Sequence, residues 1–111
     1  MHPITMAMTM ARFDIYINPN KAASHALYLD VQSDLVRLST RWCIPLSRYV
    51  SPRPIIQDAQ ALVEVAHQKY VLDTPNLLAV PAVLLRQRAG RLSSSEQTVA
   101  ESCIEFMLRG Y

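Results

Sequence analysis

The side chains able to do chemistry in this chain are few and scattered. Asp30 and Asp34 stand four apart across the end of a strand pattern. Paired carboxylates can divide acid and base work, but at a strand end this spacing points to turn and hydrogen-bonding roles. Arg12, Arg37, Arg41 and His67 supply three guanidinium groups and an imidazole. Brought together, they could stabilise charge on a phosphate, as a ribonuclease requires, yet no motif sets them side by side. His2, His25 and His67 have no metal-ligand spacing. Two Gly in the whole chain leave no phosphate-cradling loop. Ser93 to Ser95 have no neighbouring base and suit helix capping better than nucleophilic attack. Cys43 and Cys103 lie far apart without a Cys-x-x-Cys, so neither a zinc site nor a redox motif is indicated. Such cysteines are buried apolar residues in a reduced cytoplasm, a disulfide between them remaining open. The expectation is a chain with no catalytic residue, no metal and no cofactor.

The end of the chain is more informative. Arg109-Gly110-Tyr111 follow an amphipathic helix directly. A Gly ending a helix normally turns the chain onward, and here one residue follows it. A short free end suits insertion into a partner, with a frayed terminus as the plainer alternative.

The elements that must position these residues follow from periodicity. Arg12 to Ile17 alternates and holds aromatic and β-branched residues, the pattern of a strand. Asn18-Pro19-Asn20 turns it. Ala26 to Val31 is a second strand, antiparallel to the first, with Leu27, Leu29 and Val31 on one face. Arg41 to Leu46 is a third, where Pro45, having no N–H, belongs at an edge or a strand end. Residues 47–61 form a loop with one short strand near Ile55-Ile56. Leu62 to Ala66 and Lys69 to Leu72 pair through a tight connection at His67-Gln68, without the Gly that a primed turn favours. Thr74-Pro75-Asn76 breaks the pattern. Ala79 to Leu85 is apolar nearly throughout, as a strand covered on both sides would be. Arg86, Arg88 and Arg91 make a basic cluster, a solvated loop or a surface for an acidic partner.

Beyond it the period changes to three and four. Ser93-x-x-Glu96 and Ser94-x-x-Gln97 have capping-box spacing. Val99, Cys103, Phe106 and Ala100, Ile104, Met107 then mark an amphipathic helix to about Leu108. The sum is a mainly antiparallel β domain with one C-terminal helix.

At 111 residues, 50% apolar and 18% charged, the chain makes one domain with a modest core. A net charge of +2 is too small to suggest a nucleic-acid or membrane surface. No window approaches the roughly 18 apolar residues of a membrane span. Met1 to Thr9 has neither period nor the charged region of a signal peptide, so it is expected to be a tail before a domain of residues 10–111, with Met10 a candidate start.

Leu29-Asp30-Val31-Gln32-Ser33-Asp34-Leu35 resembles the Asp-Val-Gln-Ser-Asp segment of CcdB-type toxins, the gyrase poisons of toxin–antitoxin modules. Ile44-Pro45-Leu46, Leu78-Ala79-Val80-Pro81 and the closing Ile104 to Tyr111 resemble further segments of that family in the same order. The resemblance implies an SH3-like, barrel-related CcdB/MazF-type toxin fold and a homodimer. An exposed apolar excess on Ala79–Leu85 and on the Val99/Cys103 helix face agrees with a homodimer. It further implies binding to the A subunit of DNA gyrase, trapping of the gyrase–DNA cleavage complex, and neutralisation by a CcdA-like antitoxin. DNA would be met only through gyrase or through an antitoxin that represses the operon. By the same resemblance, gyrase contacts fall on Leu35, Val36, Glu105, Leu108, Arg109, Gly110 and Tyr111. Arg86, Arg88 and Arg91 would attract the antitoxin. Well-known members carry Trp in place of Arg109, Ile in place of Tyr111 and a neutral amide in place of Glu105. The competing readings are a MazF-like endoribonuclease and a degenerate toxin that binds antitoxin without poisoning gyrase.

Overall fold

The structure is a computed structural model that describes residues 10–111; the expected tail Met1 to Thr9 lies outside the described residues. Seven strands and one α-helix follow in order: β1 (Asp14–Ile17), β2 (Leu27–Asp30), β3 (Thr40–Arg48), β4 (Gln60–Val65), β5 (Gln68–Asp73), β6 (Leu78–Pro81), β7 (Arg88–Arg91) and α1 (Ser94–Arg109). Short 3-10 turns occupy Thr74–Asn76 and Ala82–Leu84. The sheet runs β4-β5-β3-β2-β1-β7, all its pairings antiparallel, with β6 paired to the far part of β3.

Alternation along β1 and β2 splits the core in two. Ile15, Leu27, Leu29 and Val31 face inward with Ile44, Leu46 and Leu72. The sheet curls around them until its edge strands approach: a Cβ on Gly90 of β7 would lie 3.9 Å from Val65 of β4. Helix α1 packs across β4 and the first 3-10 turn, adding Ala100 and Cys103 to this core. Tyr16, Tyr28 and Cys43 face outward, and Val80 and Leu85 cover them. The result is a half-barrel of the SH3-like kind with a helix across it.

Several expectations change here. Ala79 to Leu85 is not a strand covered on both sides. Pro81 ends β6, the chain tightens into a 3-10 turn, and Val83 and Leu84 stay exposed. The segment is itself the cover over the outer tyrosines, which explains its apolar content. Pro45 lies inside the longest strand, not at its end. It stands opposite Tyr28 in β2, and on its other side β6 has stopped at Cys43 while β5 starts at Leu46. The missing N–H falls in that gap and leaves no ladder bond broken. Ile55-Ile56 forms no strand.

The β4–β5 hairpin turns at Ala66-His67, both at positive φ (50° and 66°), one residue earlier than expected. Two positive-φ residues make a primed turn without glycine, because the matched ladder from Gln60↔Asp73 to Val65↔Gln68 imposes it. Arg88 and Arg91 belong to β7, a strand that the sequence pattern did not reveal, since Arg88-Ala89-Gly90-Arg91 has little strand propensity. On the Val99/Cys103 face of α1, Cys103 is buried in the core while Val99 stays exposed. Both cysteines are free and buried.

Candidate functional site

The Asp30–Leu35 run closes β2 and opens an exposed loop, Ser33 to Ser39. Asp30 is fully buried and accepts from Arg41 Nε at 2.8 Å and from the Gln32 amide at 3.1 Å. Arg41 also reaches the Gln32 carbonyl at 3.4 Å and Asp34 Oδ1 at 3.5 Å. Burial pushes the Asp30 carboxyl up, against the opposing pull of Arg41. It pushes the Cys43 thiol up to about 12, aided by Asp30. The expectation of turn and hydrogen-bonding roles for Asp30 and Asp34 holds: Asp30 is buried and accepts from the backbone two residues on, while Asp34 lies exposed in the turn that follows.

Gln32 supplies the second tie. Its side chain accepts from the Trp42 N–H at 3.0 Å and donates to the Val36 carbonyl at 2.9 Å, fastening the loop to β3. The loop thus presents Leu35, 93% exposed, with Val36 beside it.

Helix α1 begins as its caps require. Ser93 Oγ accepts from the Glu96 N–H at 3.3 Å. The reciprocal half of the capping box is absent: a Glu96 oxygen accepts instead from the Glu64 N–H of β4 at 2.8 Å, which pins the helix start to the sheet. At the other end Gly110 takes the left-handed conformation, φ 81°, and its N–H donates to the Phe106 carbonyl. Arg109 pairs with Glu105 one turn back at 3.0 Å. Leu108 is 77% exposed and Tyr111 82%.

The structure brings some of the expected contact residues together and separates others. A cleft of about 580 Å³ lies between the loop and the helix, lined on one side by Val36, Leu38 and Trp42 and on the other by Ile104, Met107 and Leu108. Val36 and Leu108 therefore face a common apolar space. Gly110 and Tyr111 do not: they line a second cleft of about 530 Å³ on the other flank of α1, with Asp58, Val99 and Phe106. Glu105 and Arg109 line neither, being occupied with each other at the surface.

The basic cluster is likewise divided. Arg88 and Arg91 both pair with the nearly buried Asp14 at 3.2 Å, and Arg91 also donates to the Arg12 carbonyl. They brace β7 against β1 and do not form a solvated loop. Arg86 pairs with no carboxylate among the described residues and lines a separate cleft with Lys21, Val83 and Leu84.

Arg12, Arg37, Arg41 and His67 do not converge. Arg41 is spent on Asp30, Arg12 on Glu101 and Val31, and His67 stands exposed at the β4–β5 turn, 3.9 Å from Glu64. Among the described residues no cluster could hold a metal ion, and no helix is long and apolar enough to cross a membrane. Sequence reasoning missed Gln32 and Trp42 as site residues, and weighed Arg12 only for phosphate chemistry. Gln32 lay inside the quoted motif, and Trp42, the single Trp, is a large side chain left half open on a strand.

The half-barrel thus presents an exposed apolar loop beside an exposed helix end. The chain matches the sequence model of the CcdB protein family over residues 12–110 and belongs to that family. It is a toxin of a toxin–antitoxin module, and proteins of this type act by binding partners and not by catalysis. No curated protein matches the chain.

Proposed function

We propose that the unit formed by residues 10–111, as a homodimer, poisons DNA gyrase by binding its A subunit and trapping the cleavage complex, and that a CcdA-like antitoxin neutralises it. The observation that carries this reading is the common cleft between Val36 on the loop and Leu108 on the helix, two separate segments of the expected contact set. Leu35 and Tyr111 add large exposed apolar surface close to that set in sequence. Exposed apolar side chains on a folded scaffold are what a partner buries.

Arg109 changes the contact relative to a Trp. Its guanidinium is already paired to Glu105, so the charge presented to a partner is partly neutralised inside the toxin. Tyr111 supplies the aromatic surface instead. For the antitoxin, Arg86 remains the cation of the three not tied to Asp14, so it carries the electrostatic attraction that Arg88 and Arg91 would otherwise share.

The test is formation of the gyrase–DNA cleavage complex by purified protein. Tyr111→Ala is expected to weaken poisoning by roughly tenfold or more, since losing an aromatic anchor costs about 2 kcal/mol. Deleting Arg109-Gly110-Tyr111 should abolish poisoning without unfolding the chain, because none of the three is in the core. A truncated protein that still traps gyrase defeats this reading. RNA cleavage with gyrase absent would favour the endoribonuclease alternative, and tight antitoxin binding without poisoning would favour the degenerate toxin.

A further inference from the structure

Arg12 precedes β1 and makes four polar contacts, each with a different part of the molecule. Its NH1 meets Glu101 Oε2 on α1 at 3.0 Å. Its Nε donates to the Val31 carbonyl at the end of β2, at 2.9 Å. Its backbone N–H donates to Asp34 Oδ1 in the loop at 2.8 Å, and its carbonyl accepts from Arg91 of β7. The guanidinium carbon lies 4.5 Å from the Phe13 ring centroid, a cation–π contact that fixes its plane. Asp34 is in turn within reach of Arg41, which holds the buried Asp30. The links run from Glu101 to the Arg12 side chain, and from the Arg12 backbone N–H through Asp34 and Arg41 to Asp30, joining the helix to the loop and the core. Arg12 also lines the cleft between Val36 and Leu108. Glu101 lies two helical turns before Leu108, on the same side of the helix.

We propose that Arg12 is a positioning residue that holds the Leu35–Val36 loop and the second half of α1 at a fixed separation, so that one rigid partner surface meets both. The gyrase part of this rests on the function proposed above; the positioning part rests on the contacts alone. A partner touching two patches binds best when their spacing needs no adjustment on docking. The same salt bridge serving only as surface charge would do nothing to that spacing.

Charge exchange separates the two cases. Four forms of the full chain are compared: wild type, Arg12→Glu, Glu101→Arg, and the double exchange. Each is measured for affinity to a purified fragment of the gyrase A dimerisation region and for backbone hydrogen exchange. Each single variant is expected to lose about threefold to tenfold in affinity. Exchange should quicken in Ser33 to Ser39 and in the second half of α1 while β3 and β5 keep their protection. The double exchange should restore both readouts in part, through the pair between positions 12 and 101, because a carboxylate at position 12 cannot donate to the Val31 carbonyl. The proposal is overturned if exchange in the two segments is unaltered in the single variants. It is equally overturned if exchange quickens throughout the barrel, or if the double exchange restores neither readout. Altered exchange with unchanged affinity also overturns it. If no form binds the gyrase fragment but exchange follows the charge pattern, the positioning role stands and the gyrase reading falls.

Discussion

Two segments of this toxin are made of the same ingredients and use them in opposite ways. Asp30 to Trp42 and Glu105 to Tyr111 each hold an acid, an arginine close by, an aromatic residue and an exposed leucine. In the first, Arg41 is 9% exposed at its side chain and Asp30 not at all, and Gln32 closes the remaining hydrogen bonds. In the second, Arg109 and Glu105 are both more than half exposed, and the pair lies on the surface of the helix. The lesson concerns burial. Out of water, the first pair dictates the shape of the loop that it anchors, because an unpaired charge there is prohibitive. In water the second pair is free to break when a partner arrives. The rigid segment presents the apolar loop, and the open segment supplies the adaptable end.

The largest effect that tests this contrast is removal of one partner from the buried pair. Arg41→Ala leaves Asp30 enclosed without its counter-charge, and should cost about 3–5 kcal/mol in urea denaturation. Replacing both, as Asp30→Leu with Arg41→Met, should recover most of that loss. If Arg41→Ala proves mild, the junction is wetter than its burial indicates and the contrast dissolves.

A middle-sized effect is expected from alkali. Burial raises Tyr16 from 10.0 to about 12, and burial with Asp30 raises Cys43 from 9.0 to about 12. Both groups hold their protons more tightly folded than unfolded. Their stabilising contribution is therefore complete below pH 9 and is lost as pH rises to about 12. The denaturation free energy should fall across that window, with Cys43 accounting for on the order of 4 kcal/mol of the fall. Cys43→Ala should flatten the decline, whatever it costs at neutral pH. An unchanged slope would show that the Cys43 site is not the sealed region described.

The smallest effect belongs to the open segment. Glu105→Gln breaks the pair with Arg109 and should move stability by no more than about 0.5 kcal/mol. It should nevertheless alter the affinity for a partner, because Arg109 is then released with its full charge. Comparable stability losses from Glu105→Gln and Arg41→Ala would show that burial does not separate the two segments.

The two segments also differ in how far they could be read from residues alone. Helix α1 was legible because its caps and its three-and-four period lie within one stretch of chain, and its bounds differ by a residue at most. The half-barrel was legible for β1 to β5, where alternation is local. β7 was hidden, because its strand state depends on pairing with β1 and on Asp14 drawing in Arg88 and Arg91 from more than seventy residues away. The apolar Ala79–Leu85 run was seen but misassigned, since periodicity cannot tell a covered strand from the strip that does the covering. At the site, the residues at the helix end and in the loop were named from a resemblance. That Val36 and Leu108 share one cleft while Tyr111 lies in another depends on where α1 crosses the sheet.

By itself, then, the amino-acid sequence determined the class of the protein: a small antiparallel β domain closed by a capped helix, with the Asp-Val-Gln-Ser-Asp run marking its family. These are local properties, set by side-chain period, turn chemistry and motif, each complete within a few residues. Only the tertiary structure decided which charges are spent and which are open. Asp30, Asp34, Glu101, Arg12 and Arg41 look alike in a list, and no spacing rule relates them. Folding carries Asp30 and Arg41 out of water and sets Arg12 between helix and loop, and the energy of a charge depends on the medium and neighbours that the fold provides.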